Sequence, residues 1–167
     1  MEFRPSLCTR DDGRIKWASW VEHMAARNKA KAKQTGEVPL GEESLGEDPR
    51  LIQVTQMALV LPEASRRVHG LHAAFLVRKK TFAYFLNDHH GDGIVAVTCK
   101  VFAGDNTALA EAQPRRFYLP AYLASKGWIA LRLDRGKVDW DEVRELLNTS
   151  YRLIAPTRLA ALVAARN

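Results

Sequence analysis

Thiols are scarce in this sequence. Cys8 and Cys99 are its two cysteines in 167 residues, and without a CxxC pair a thiolate zinc site is excluded. Cys99 sits inside the apolar run IVAVTCKV, where an inert buried thiol is expected rather than a disulfide or a nucleophile. Long apolar runs are missing too: none approaches the roughly 18 residues of a membrane span. The N-terminal stretch MEFRPSLCTRDDGRIK has neither the apolar core nor the small-residue cleavage pattern of a secretory signal, so the cytoplasm is the expected compartment. Absent as well are a GxSxG nucleophile elbow, an HxxxH pairing, a helix-turn-helix signature, a zinc finger and an RRM-type aromatic strand motif. These absences exclude the commonest hydrolase and sequence-reading modules. No cofactor-binding motif is evident, and no cofactor is expected.

Charge is present in modest excess. Twenty-five Lys and Arg oppose nineteen Asp and Glu, for a formal +6, a balance that favours polyanionic partners. It is unevenly distributed. Residues 1–34 hold eight cations against four acids, residues 35–50 one against five, and residues 51–167 sixteen against ten. The acidic stretch TGEVPLGEESLGEDPR carries three Gly and two Pro without apolar periodicity, the composition of a linker. Upstream of it, Trp17, Trp20, Val21 and Met24 recur at helical spacing. The chain therefore divides into a basic amphipathic extension at 1–34, a linker at 35–50 and a domain at 51–167.

The domain has mixed periodicity. LIQVTQMALVLP predicts a helix with Ile52, Met57, Leu59 and Leu61 among its apolar residues, stopped at Pro62. HAAFLV and TFAYFL flank the polar break RKK as a hairpin would, and LNDHHGDG then connects TFAYFL to IVAVTCKV. DNTALAEAQP predicts a short helix capped by Asp105 or Asn106, and WIALRL a further strand. DWDEVRELLNTSYRLI opens with Asp139 as N-cap and Glu142 three residues on, and lines up Val143, Leu146, Leu147, Ser150 and Ile154 on one face. A last helix follows Pro156. A helix, several antiparallel strands and then more helices give an α+β fold: a two-layer sandwich, one antiparallel sheet with helices packed on one face.

Alternation in IVAVTCKV and WIALRL leaves Lys100, Trp128 and Arg132 on the face away from the helices, with Phe85 as a neighbour. Lys79, Lys80, Arg115, Arg116 and Lys126 are close in sequence or in adjoining turns. Lysine and arginine neutralise phosphates, and an aromatic ring stacks a base or packs a sugar. The alternative, favoured because so modest a charge excess is common in proteins that bind no nucleic acid, is a buried structural Trp128 with the cations forming a solvated rim. A third reading is protein association or small-ligand binding, including a homodimer, through the same apolar patch. For Ser150 and Tyr151 the expectation is structural: the hydroxyl bonding a carbonyl four residues back, the ring packing on the sheet. His69, His72, His89 and His90 would form a metal site only if the DHHGDG turn reaches two upstream histidines.

The segments ALVLPEA at 58–64, KTFAYF at 80–85, VTCKV at 97–101, PAYLASKGW at 120–128 and SYRLIAP at 150–156 resemble the MmcQ/YjbR-like proteins over about residues 51–159. That resemblance implies a CyaY-like, double-wing fold and a non-enzymatic DNA-binding role whose warrant is analogy of fold. It singles out Lys80, Lys100, Pro120, Tyr122, Lys126, Trp128 and the Ser150–Tyr151 pair, and supplies no catalytic residue. The nucleic-acid-binding set it leaves, with the cations above, is Lys80, Lys100, Arg115, Arg116, Tyr122, Lys126, Trp128 and Arg132. The family is also similar to frataxin in fold, but this basic chain lacks an acidic iron-binding surface, which argues against an iron-donor role.

Overall fold

The computed structural model describes residues 47–89 and 91–164. The Trp17/Trp20 extension, most of the acidic linker and His90 lie outside the described residues. The first helix among the described residues, α1 (Pro49–Leu59), starts two residues before the expected boundary, because Asp48 caps it. The Asp48 carboxylate accepts the Arg50 backbone N–H at 2.8 Å, and Pro49 occupies the first turn, where its missing N–H costs nothing. Its buried face is Leu51, Val54 and Ala58. Ile52 and Leu59, counted among its apolar residues, are exposed; this segment is apolar around much of its circumference, so composition did not reveal which face docks.

Six strands follow in one sheet: β1 (Ala64–His69), β2 (His72–Val77), β3 (Lys80–Asn87), β4 (Val95–Lys100), β5 (Phe117–Tyr118) and β6 (Trp128–Arg132), in spatial order β1-β2-β3-β4-β6-β5 with every neighbouring pair antiparallel. Since β4 and β5 both run against β6, they are parallel to each other. The helix α2 (Asp105–Ala112) carries the chain from one to the other. Its N-cap is Gly104, not Asp105 or Asn106, and the Asn106 amide turns inward to donate to the Ala124 carbonyl at 2.8 Å.

Two helices close the fold, α3 (Trp140–Ile154) and α4 (Thr157–Ala164). The Asp139 carboxylate accepts the N–H groups of Asp141 and Glu142 at 3.0 and 3.2 Å, as the sequence predicts. Val143, Leu147, Ser150 and Tyr151 of α3 are buried. They meet Phe75, Phe82, Phe85, Val97, Cys99, Ile129 and Leu131 from the strands, while Leu109 and Ala110 of α2 lean on the same core. The helices thus share one side of the sheet, the expected two-layer α+β arrangement. Phe85 pairs with Val97 and belongs to this core, not to the opposite face. Among the described residues, no helix is long and apolar enough to cross a membrane.

The β2–β3 hairpin is tighter than the RKK break suggests. Lys80 already pairs with Val77, leaving Arg78 and Lys79 as a two-residue turn with φ of 45° and 68°. Paired positive φ values are the geometry of a type I′ turn, which ordinarily takes Asn-Gly. Holding an L side chain there costs about 1 kcal/mol per residue, offset at Arg78 by a bidentate bond to Glu63 at 2.6 and 3.0 Å.

One register shift lies between Phe75 and Leu76 of β2: Phe75 faces Ala83 and Leu76 faces Thr81, so Phe82 is an extra residue in β3. Such a bulge frees backbone groups from the ladder. The Ser150 hydroxyl occupies the gap, donating to the Phe82 carbonyl and accepting the Lys100 N–H at 2.8 Å. Ser150 is therefore structural, but it bridges β3 and β4 instead of bonding back along its own helix.

Candidate functional site

Strand direction sorts the expected site residues to two ends of the sheet. β2 ends, β3 begins, β4 ends and β6 begins at one end, which brings together the Arg78–Lys79 turn, Lys80, Lys100, Lys126 and Trp128. Lys100 and Trp128 are direct cross-strand partners. Lys79, Lys80 and Lys126 are exposed and Lys100 half-buried. None of these four lysines has an ion-pair partner among the described residues. The acids of this end are Glu63, engaged by Arg78 and Arg158, and Asp105 at the start of α2.

Arg115, Arg116 and Arg132 fall at the opposite end, because β5 pairs Phe117 with Leu131 and the Arg132 N–H bonds the Arg116 carbonyl. Two of the three are committed. Arg132 holds Asp134 through two bonds of 3.0 and 2.5 Å; that contact pulls the Asp134 carboxyl below its usual range and raises the guanidinium. Arg116 bonds Glu142 and Gln113. The sequence-derived set of cations is thus not one patch.

Trp128 is 7 % exposed. Its ring lies 5.4 Å from that of Tyr84, tilted by 34°. On the same face Leu76, Ala96, Thr98 and Ala130 are also buried, and among the described residues the Thr98 hydroxyl has no hydrogen-bond partner. Trp128 is therefore a wall of the sheet face and not an open stacking platform. Burial raises the pKa of the Tyr84 phenol.

Among the described residues, the exposed aromatics are elsewhere at the lysine end. Tyr122 is 88 % exposed and Phe102 is 56 % exposed. Tyr122 has φ 65° in a turn closed by the Leu123 N–H on the Pro120 carbonyl at 3.2 Å. That turn is fastened to β6 by the Trp128 N–H on the Leu123 carbonyl, and the Val101 N–H bonds the Gly127 carbonyl at 2.9 Å, which sets the Phe102 segment beside Lys126. Phe102 was not among the residues expected from sequence; KVFAGD reads only as a strand end running into a loop.

At the other end, the turn after β3 does reach an upstream histidine. The His72 and His89 rings meet edge to face with centroids 5.2 Å apart, and His69 pairs with His72 across the hairpin. His72 Nδ1 accepts the Asn87 N–H at 3.2 Å, so the neutral ring carries its proton on Nε2 and offers no free lone pair to a metal. Among the described residues, no group of three His, Cys, Asp or Glu has metal-binding geometry. A groove of about 620 Å³ lies nearby, lined by Asp48, Arg50, Leu51, Val68, Leu71 and Asn87.

Burial, reinforced by His69, lowers the His72 pKa, with Asp88 acting in the opposite direction. The unfolded chain then binds the proton more readily than the folded one, and this contribution to stability increases with pH. It is complete above the ordinary histidine value of 6.5 and declines as pH falls through that value toward the lowered one. Urea midpoints measured on either side of pH 6.5 should fall on acidification, and fall less in His72→Ala. An equal fall in both proteins would assign the effect to other groups.

A YjbR family model matches residues 59–153, more than half of the chain. The crystal structure of Deinococcus radiodurans protein DR2400, a DUF419 domain, matches with a TM-score of 0.51 and 23 % identity, over 62 % of this chain and 76 % of that one. This likeness is one of fold. No curated protein matches the chain. With the family match running from the last residue of α1 through all six strands to Leu153 of α3, the chain belongs to the YjbR family.

Proposed function

We propose that this domain binds nucleic acid without catalysing a reaction, through phosphate contacts from Lys79, Lys80, Lys100 and Lys126. The observation that carries the reading is the contrast between these four lysines, which share one end of the sheet without carboxylate partners among the described residues, and Arg116 and Arg132, which are tied to Glu142 and Asp134. Unpaired cations on neighbouring strand ends can exchange condensed counterions for a phosphate backbone, the main source of sequence-independent affinity. Two nucleophile candidates are occupied structurally: Cys99 is buried with its thiol pKa pushed far up, and the Ser150 hydroxyl spans two backbone groups.

Four phosphate contacts imply a slope of about −3 in log K against log salt, or roughly 60-fold weaker binding between about 50 and 200 mM salt. Fluorescence anisotropy with labelled DNA, on the parent protein and a Lys79/Lys100/Lys126→Gln variant, measures both quantities. Each lysine removed should flatten the slope by about 0.7 to 0.9 units, leaving a residual slope no steeper than about −1 in the triple variant. Binding indifferent to salt and to these substitutions would sink the reading. The exposed Phe102, Leu119 and Tyr122 support protein association as the second reading, and a dimeric mass in solution that Tyr122→Ala abolishes would favour it.

A further inference from the structure

Building on the nucleic-acid reading, we infer that the bound strand is single and that Tyr122 stacks one of its bases, with Phe102 as the adjoining aromatic surface. Tyr122 is a large side chain that the core does not use, since it is 88 % exposed. Its backbone has φ 65°, at the turn position where glycine is the comfortable residue. A tyrosine there is strained and contributes little to packing, the combination that points to a ligand-facing role.

The turn is nevertheless firmly placed. The Pro120 carbonyl accepts the N–H groups of Leu123 and Ala124, and the Ala124 carbonyl accepts the buried Asn106 amide. The ring is therefore presented from a fixed base beside Lys126, and Phe102 (56 % exposed) projects from the neighbouring segment bonded to Gly127. An exposed ring beside unpaired lysines suits an unstacked base on a phosphate backbone. In a duplex the base faces are already stacked on one another, so such a ring gains nothing from them.

The test compares a short labelled oligothymidylate with a duplex of the same length, using the parent protein, Tyr122→Phe, Tyr122→Ala and Tyr122→Gly. Tyr122→Gly relieves the backbone strain, so loss of binding in that variant cannot be ascribed to misfolding; its urea midpoint should equal or exceed the parent's. Single-strand affinity should drop about tenfold in the Ala and Gly variants, persist in Tyr122→Phe, and keep its salt slope. Duplex affinity should be weaker in the parent and unchanged by all three. If the oligothymidylate binds equally to the parent and Tyr122→Gly, or if the duplex binds as tightly as the single strand, stacking is overturned while the lysine contacts stand. Failure of both probes to bind at low salt removes the nucleic-acid reading and this inference together.

Discussion

Ser150→Ala is expected to lower the stability of the domain by about 2 to 4 kcal/mol, a shift of roughly 10 °C in Tm. The hydroxyl bonds the Phe82 carbonyl and the Lys100 N–H, and Ser150 has no exposed surface. Alanine removes one oxygen and strands two backbone groups, each of which then bears its own desolvation cost. Replacement by Val adds crowding without restoring either bond and should be worse. Chemical denaturation reads the effect directly: the midpoint should fall with the m-value unchanged. A loss below about 0.5 kcal/mol would mean that water reaches the bulge and that the hydroxyl is dispensable.

Tyr151→Ala should cost about 3 to 5 kcal/mol, the usual penalty for emptying a large aromatic site. Tyr151 is fully buried, and its ring meets Phe82 edge-on with centroids 5.3 Å apart at 84°. Its hydroxyl donates to the Pro62 carbonyl at 2.5 Å, which fastens the end of α3 to the loop between α1 and β1. Tyr151→Phe isolates that last contact and should cost about 1 kcal/mol. Near-equal losses in the two variants would place the stabilisation in the hydrogen bond instead of the ring. Because Ser150 and Tyr151 both act on Phe82, one through its carbonyl and one through its ring, the double variant should depart from additivity.

What could be read in advance follows from whether local and long-range forces agreed. In α3 they do: the Asp139 cap, the Glu142 position and the apolar period all specify the same helix. β1 was hidden because ASRRVH has little strand character, and its extended form comes from pairing with β2. β5 is two residues long, too short for any pattern. The same distinction governs the site. Alternation alone places Lys100 and Trp128 on one face. The separation of Arg115 and Arg116 from Lys100 depends on β5 lying beyond β6, a long-range crossover that no local spacing encodes. Ser150 could be recognised as structural from its place on an apolar helix face, but its partners required the bulge at Phe82. The left-handed backbone at Tyr122 had no glycine to announce it.

The outermost strands have a consequence for self-association. A free strand edge is a template on which another chain can add, and proteins blunt it with short strands and long charged side chains. Here β5 offers two residues, and β1 carries Arg66 and Arg67 in succession. Another copy could add little main-chain pairing at β5, and at β1 it would meet a long cationic side chain on each face of the strand, Arg67 on one and Arg66, held by Glu47 and Thr55, on the other. Among the described residues, fibril-like growth by sheet extension is thereby disfavoured at both edges.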